Sequence, residues 1–153
     1  MSEPDALIVE VWKKDAALAM SVFDQHDAAS TLRHYSECRV SFGEISRVCQ
    51  EMAILLSAAS KKNHCENTLL EQIKKSGQFL WGYLLTKPVK ERLRQSYGRN
   101  LVLLLDEGLI ALPWELLHDG DDFLCLRYNL GRQLRTKQEP LPSRNRDNAA
   151  DIS

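Results

Sequence analysis

Four cysteines and four histidines give this chain the side chains from which a covalent catalytic pair is built. Such a pair needs a thiolate within hydrogen-bond reach of an imidazole. His64 and Cys65 are adjacent in the chain, but adjacent side chains on an extended backbone point apart. Both lie in a polar stretch, Lys61–Cys65, which the sequence predicts to be a surface loop. We therefore expect a loop at this position rather than a catalytic pair.

The cysteines form no Cys-x-x-Cys pair and have apolar or helical neighbours: Cys38, Cys49, Cys65 and Cys125. In a cytosolic protein such cysteines are usually reduced and buried. Cys49 falls on an apolar helical stripe, and Cys125 alternates with Leu124 and Leu126 in a predicted strand. Core packing is therefore expected for both, and no catalytic cysteine is assigned.

A polar cluster, His118-Asp119-Gly120-Asp121-Asp122, has the ligand types of a metal site. A calcium loop, however, spreads its ligands over about a dozen residues and closes with a bidentate carboxylate. Nothing after Asp122 supplies that spacing, whereas Asp-Gly is common in turns. The cluster is predicted to be a polar turn between strands, with no metal and no cofactor assigned.

Trp114 follows a proline and is flanked by leucines, which predicts a core residue whose indole N–H is satisfied. Glu115 in the same setting is expected to need a donor. Arg132 or Arg127 would supply one through a charge-assisted pair. An ion pair that holds the fold is the favoured interpretation, and a role in a substrate pocket is the alternative.

The composition limits the class of protein. The formal net charge is −1 and the pI is about 6.4, so electrostatics give no case for nucleic acid or an anionic membrane as partner. No apolar run approaches the roughly 20 residues that span a bilayer. The N-terminus is acidic and lacks the basic start of a signal peptide. These features lead us to expect a cytoplasmic protein.

The first part of the chain predicts a β-hairpin. Ala6–Trp12 is rich in β-branched residues, Lys13–Asp15 supplies turn residues, and Ala17–Phe23 continues as a second strand. The following segment, Asp24–Arg39, is ambiguous, although Thr31–Val40 has room for a short strand.

Helical patterns follow the hairpin. Ser41 and Glu44 have the spacing of a capping box. Apolar residues then recur every three or four positions in two stretches, and Gly77 within the second stretch indicates the close approach of another element. Pro88 suits the first turn of a third helix that stops at Gly98.

The last strand-rich region, Leu101–Arg135, reads as short strands with tight connections. Leu101–Leu105 is apolar throughout, as expected of a strand covered on both faces. Strands on both sides of a helical stretch predict an α/β fold with some parallel pairing. We divide the chain into a folded domain, residues 1–135, and a polar tail or linker, residues 136–153, which is expected to be flexible.

Parts of this region resemble the opening of a CHAT domain, a family of caspase-like and separase-like cysteine peptidases. The resembling residues are Leu103-Leu104-Leu105-Asp106, Ala111-Leu112-Pro113-Trp114-Glu115-Leu116-Leu117-His118-Asp119-Gly120, Phe123-Leu124-Cys125-Leu126 and Asn129-Leu130-Gly131-Arg132. The Pro-Trp-Glu-Leu-Leu motif with its following Asp-Gly is the most specific element. The resemblance covers about residues 70 to 135 and implies part of a caspase-like sheet, with the N-terminal hairpin and two to three helices before it.

In this family the catalytic residues are a His followed by Gly and a Cys after a later strand, and both lie downstream of the region matched here. His118 is followed by Asp119 instead. No catalytic, cofactor or metal role is therefore carried onto this chain, and whether it is an enzyme stays open. The motif residues Asp106, Pro113–Leu117, Asp119, Gly120 and Arg132 are assigned structural roles.

The resemblance leads to three hypotheses. The chain is the N-terminal segment of a CHAT peptidase, inactive alone, whose parent enzyme would cut proteins or peptides. Alternatively, it is a non-catalytic interaction module or degenerate remnant that binds a protein partner, or an unrelated α/β domain. Under the first hypothesis the apolar surfaces near Leu101 and Leu124 would lack cover. The chain would then self-associate or need a complementary CHAT-domain polypeptide.

Overall fold

The N-terminal hairpin joins two antiparallel strands, β1 (Leu7–Lys14) and β2 (Ala17–Asp24). The computed structural model describes residues 6–27, 35–61 and 67–135. Lys14 pairs with Ala17, so the connection is the two residues between them, and Asp15 adopts a left-handed conformation with φ 57°. The turn predicted at Lys13–Asp15 thus begins later than expected, because aspartate tolerates the backbone angles that a tight hairpin requires.

The hairpin is part of a five-stranded sheet that also contains β3 (Ser36–Arg39), β4 (Asn100–Leu105) and β5 (Asn129–Leu134). The strand order is β3-β2-β1-β4-β5. β1 pairs with β4 in parallel, and β4 pairs with β5 in parallel. The predicted α/β fold, its parallel pairing and the short strand within Thr31–Val40 are confirmed.

Three longer helices lie between β3 and β4: α1 (Phe42–Lys61), α2 (Asn67–Leu84) and α3 (Lys87–Arg94). A single-turn helix, α4 (Leu124–Arg127), precedes β5, and short 3-10 turns cover Gln25–Asp27, Glu107–Leu109 and Trp114–Leu116. None of the helices in the described ranges is long and apolar enough to cross a membrane.

The start of α1 has half of the predicted capping box. Ser41 Oγ accepts a hydrogen bond from the Glu44 amide at 3.3 Å. The reciprocal bond is replaced, because the Ser41 amide donates to the Tyr83 hydroxyl at 2.7 Å while Glu44 pairs with Arg47. The cap therefore also ties the first turn of α1 to α2.

The hydrophobic core lies against one face of the sheet. This face carries alternating residues of the two central strands, all nearly inaccessible to solvent: Leu7, Val9, Val11, Leu101, Leu103 and Leu105. Buried residues of α1, α2 and α3 complete the same cluster. On the opposite face Val102 and Leu104 are only half-buried, so the expectation that β4 is covered on both faces is wrong. An all-leucine and valine run does not reveal which of its faces is covered.

Gly77 in α2 is a point of close backbone approach, as its place in the apolar stripe predicted. A Cβ atom built there would lie 2.2 Å from the Leu116 carbonyl oxygen. The Gly77 carbonyl also accepts a hydrogen bond from the His118 amide at 3.1 Å. Later along the chain, Pro88 lies in the first turn of α3, as predicted. The expectation that this helix stops at Gly98 is wrong: it ends at Arg94 with Gln95 as its C-cap, and Gly98 lies in the following turn with φ +91°.

The segment around Cys125 differs from the prediction. Phe123–Leu126 was expected to be a strand with Cys125 in the core, but Leu124–Arg127 is a helical turn and Cys125 is exposed. The Tyr128 amide donates to the Leu124 carbonyl at 3.1 Å, which closes this turn. A four-residue apolar run fits a helical turn as well as a strand, so periodicity alone did not separate them. Leu101 and Leu124 are both buried, and the expectation that they lack cover is wrong.

Candidate functional site

The family motif forms a 3-10 turn, Trp114–Leu116, that contacts α2 and α4. The Trp114 side chain is fully buried, and its Nε1–H donates to the Leu109 carbonyl at 2.9 Å. The predicted core role of Trp114, with its indole N–H satisfied, is confirmed. Because Gly77 meets the backbone at Leu116, this turn is also fixed against α2.

Glu115 pairs with Arg132 on β5, one of the two arginines predicted for it. Arg132 Nε donates to Glu115 Oε2 at 3.0 Å, and its Nη2 donates to the other carboxylate oxygen. Arg132 Nη1 also donates to the Ile110 carbonyl. This fork-shaped contact joins β5 to the motif turn, and the Glu115 side chain remains 40% exposed.

The residues after His118 form the predicted polar turn. The Asp119 amide donates to the Asp122 carbonyl at 3.1 Å. Asp119 Oδ1 accepts hydrogen bonds from the amides of Asp121 and Asp122 at 2.8 and 2.9 Å. No group of three or more potential metal ligands is found in the described part of the chain.

Asp119 is also the centre of a buried charge network. Its side chain is 4% exposed; Oδ2 accepts from the Tyr97 hydroxyl and lies 3.5 Å from Arg127 Nε. Burial alone would raise the pKa of Asp119, but Tyr97, the two turn amides and Arg127 hold that pKa below its ordinary value. Burial and the Asp119 contact raise the pKa of Tyr97 to about 12. The carboxylate therefore stays ionised and serves as a structural anchor.

His118 is buried beside this turn and makes an acceptor contact. Its Nδ1 accepts a hydrogen bond from the Gly120 amide at 3.1 Å, which leaves the proton of the neutral ring on Nε2. Within the described ranges Nε2 has no hydrogen-bond partner. The ring meets Phe123 edge-on, with centroids 4.8 Å apart. The imidazole is thus packed and oriented, not presented to a substrate.

The described cysteines are in environments that disfavour a thiolate. Burial raises the pKa of the Cys38 and Cys49 thiols. Partial desolvation and the carboxylates of Glu115 and Asp122 raise the pKa of Cys125. Cys38 Sγ contacts the carbonyls of Tyr83 and Leu84, and none of these three sulfurs is hydrogen-bonded to a histidine in the described ranges. His64, Cys65 and the predicted flexible tail lie outside the described residues.

A charged cluster at the carboxyl ends of β1, β4 and β5 escaped the sequence analysis. Arg135 follows β5, and its guanidinium contacts Glu10 of β1 and Asp106 at the end of β4. Its Cζ lies 4.8 Å from the centroid of the Trp12 ring. The sequence assigned Asp106 only a structural role within the family motif. The carboxyl ends of parallel strands share one edge of a sheet, and that was the signal that could have found the cluster.

Comparison with known proteins identifies one family. The family model described as CHAT domain matches residues 74–151, just over half of the chain. The matched region contains every residue of the Pro-Trp-Glu motif, the polar turn, β4 and β5. A search of curated proteins found no match.

Proposed function

The chain belongs to the CHAT domain family, and from that premise we propose that it supplies the first part of a CHAT-type cysteine peptidase fold. In this proposal the chain is inactive alone. The catalytic His and Cys come from a complementary CHAT-domain polypeptide that completes the sheet. The observation that carries the proposal is the family match over residues 74–151.

The position of β5 supports a partner that adds strands. Among the described strands β5 lies at the end of the sheet and has a neighbour on one side only. The amides of Asn129 and Arg135 donate toward β4, to the carbonyls of Arg99 and Leu105. Because amide direction alternates along a strand, the amides of Leu130, Arg132 and Leu134 point outward. They form a template on which a further strand can pair.

The environments of the cysteine thiols support the proposal that the chain alone is inactive. A cysteine nucleophile needs a lowered pKa and an adjacent base. Each described cysteine has a raised pKa, and none of them is hydrogen-bonded to either of the described histidines. The same observation favours the second candidate, a non-catalytic interaction module that binds a protein partner through the same fold.

A cleavage assay distinguishes the two candidates. The chain, a polypeptide encoded downstream that carries a His-Gly and a later Cys, and their mixture are each tested against a peptide library. The proposal predicts turnover in the mixture alone, abolished when the partner's Cys is replaced by Ala. Binding without turnover would favour the interaction module. Turnover by the chain alone, lost on Cys→Ala at one of its own four cysteines, would overturn the proposal.

Two matched variants of Leu134 test whether the partner pairs with the edge of β5. Leu134→Pro removes an outward amide and leaves the inward ladder with β4 intact, whereas Leu134→Ala keeps the amide and removes the same side chain. We expect the proline variant to reduce activation of the mixture and the alanine variant to retain it. Equal activation by the two variants would place the partner elsewhere.

A further inference from the structure

The carboxyl edge of the sheet contains a cavity of about 510 Å³ between the ends of β1, β4 and β5. Its lining includes Trp12, Lys13, Asp106, Leu134 and Arg135. In α/β folds the crevice outside the carboxyl ends of parallel strands is the usual place for a ligand. The cavity is open to solvent beside Leu134, whose side chain is 52% exposed.

The guanidinium of Arg135 lies at the wall of this cavity. Arg135 Nε donates to Glu10 Oε2 at 2.5 Å, and Arg135 Nη1 lies 3.4 Å from Asp106 Oδ1. The same group lies over the face of Trp12. An aromatic face with two carboxylates is a favourable environment for a cationic side chain, and for arginine above all.

The acidic groups are positioned by contacts that do not involve Arg135. The Lys13 amide donates to Asp106 Oδ2 at 2.8 Å. Glu10 and Trp12 are fixed by the central strand β1, which pairs on both sides. The Lys13 ammonium, which also lines the cavity, makes a cation–π contact with Phe42, 4.6 Å from the ring centre. Without Arg135 the Asp106 carboxylate and the Trp12 ring would remain in the wall of the cavity, and the Glu10 carboxylate that Arg135 contacts would be left without this guanidinium.

We propose that Glu10, Trp12 and Asp106 form a binding site for the guanidinium of an arginine side chain in a second polypeptide. Arg135 occupies this site in cis and is displaced when the ligand binds. That the ligand is a polypeptide rests on the proposed function. Its cationic chemistry rests on the contacts of the cavity alone. The simpler interpretation is that the ion pair only joins β5 to β1. It predicts that an added arginine ligand does not bind.

The test uses the full chain and a small probe, N-acetyl-arginine amide, with N-acetyl-citrulline amide as the uncharged control. While Arg135 occupies the site in cis, only the fraction of molecules with an open site can bind the probe. The apparent affinity for the probe is therefore the intrinsic affinity multiplied by that fraction. Arg135→Ala is therefore expected to bind the arginine probe about tenfold more tightly than the wild type, by calorimetric titration. Neither protein should bind the citrulline probe. Adding Glu10→Gln and Asp106→Asn to Arg135→Ala should abolish binding.

Thermal melts distinguish a purely structural role of Arg135 from occupation of a binding site. If Arg135→Ala is destabilised, the arginine probe should restore its melting temperature and the citrulline probe should not. No binding and no rescue in the Arg135→Ala variant, or equal effects of the two probes, would overturn the inference. Because no step requires turnover, these results are independent of whether the chain gains peptidase activity with a partner.

Discussion

At the scale of single residues, the motif side chains hold the fold in specific ways. Trp114 is a buried anchor with its indole N–H bonded, and Arg132 connects the Glu115 carboxylate to β5. Asp119 joins the polar turn to Tyr97 and Arg127. Each of these groups has partners within the described part of the chain.

The Asp119 network makes stability depend on acidity. The pKa of Asp119 in the folded protein is below the 3.8 of the unfolded chain. Its contribution is therefore fully present above about pH 4 and is lost as pH falls through the lower, folded-state pKa. Asp119→Asn should lower the free energy of unfolding at pH 7 by about 1.5–3 kcal/mol, since hydrogen bonds to a charged group are lost.

Urea unfolding at pH 7 and pH 3 checks this expectation. The stability difference between the wild type and Asp119→Asn should shrink at pH 3, because the wild-type carboxylate loses part of its advantage there. Tyr97→Phe is the companion variant, since it removes one donor and keeps the charge. A difference that is constant across this range would show that Asp119 does not stabilise the fold through its ionised form.

At the scale of elements, the contact between α2 and the motif turn is the closest approach found at a described glycine. Gly77→Ala would place a Cβ atom 2.2 Å from the Leu116 carbonyl oxygen, so backbone must shift. We expect a loss of about 1–3 kcal/mol in the free energy of unfolding, or more if α2 separates from the turn.

Gly82 in the same helix provides the matched control for Gly77. A Cβ atom there meets nothing within 4 Å. Gly82→Ala should therefore stabilise the protein by about 0.5–1 kcal/mol through helix propensity alone. Chemical denaturation of the two variants measures both effects. If Gly77→Ala were as stable as Gly82→Ala, the close packing of α2 on the motif turn would be refuted.

The sequence predicted those helices and strands whose formation depends on residues close together in the chain. The hairpin, α1, α2, α3 and β4 follow from periodicity, capping residues and turn chemistry. The α4 turn did not follow, because Phe123–Leu126 is too short to show a period. The Glu10–Arg135 pair joins residues 125 positions apart, so only the sheet order brings it together. Glu115–Arg132, 17 positions apart, was predicted from chemistry as one of two options.

At the scale of the whole molecule, the central strands of the sheet and the strand β5 differ in how many described neighbours they pair with. The central strands β1 and β4 pair on both sides, while β5 has one described neighbour. Its residues are mostly exposed or half-buried. Leu101 and Leu124 are buried, so these two positions have cover within the described chain. Under the proposed function, the β5 edge is the surface that a partner completes.

The measurement that tests this account most directly is residue-resolved amide hydrogen exchange in β5. In the isolated, dilute chain the amides of Gly131, Gln133 and Arg135 should exchange slowly, since they face β4, and those of Leu130, Arg132 and Leu134 should exchange rapidly. The complementary CHAT-domain polypeptide should slow the second set while leaving the first unchanged. An activated mixture in which the outward amides still exchange rapidly would contradict strand addition at β5.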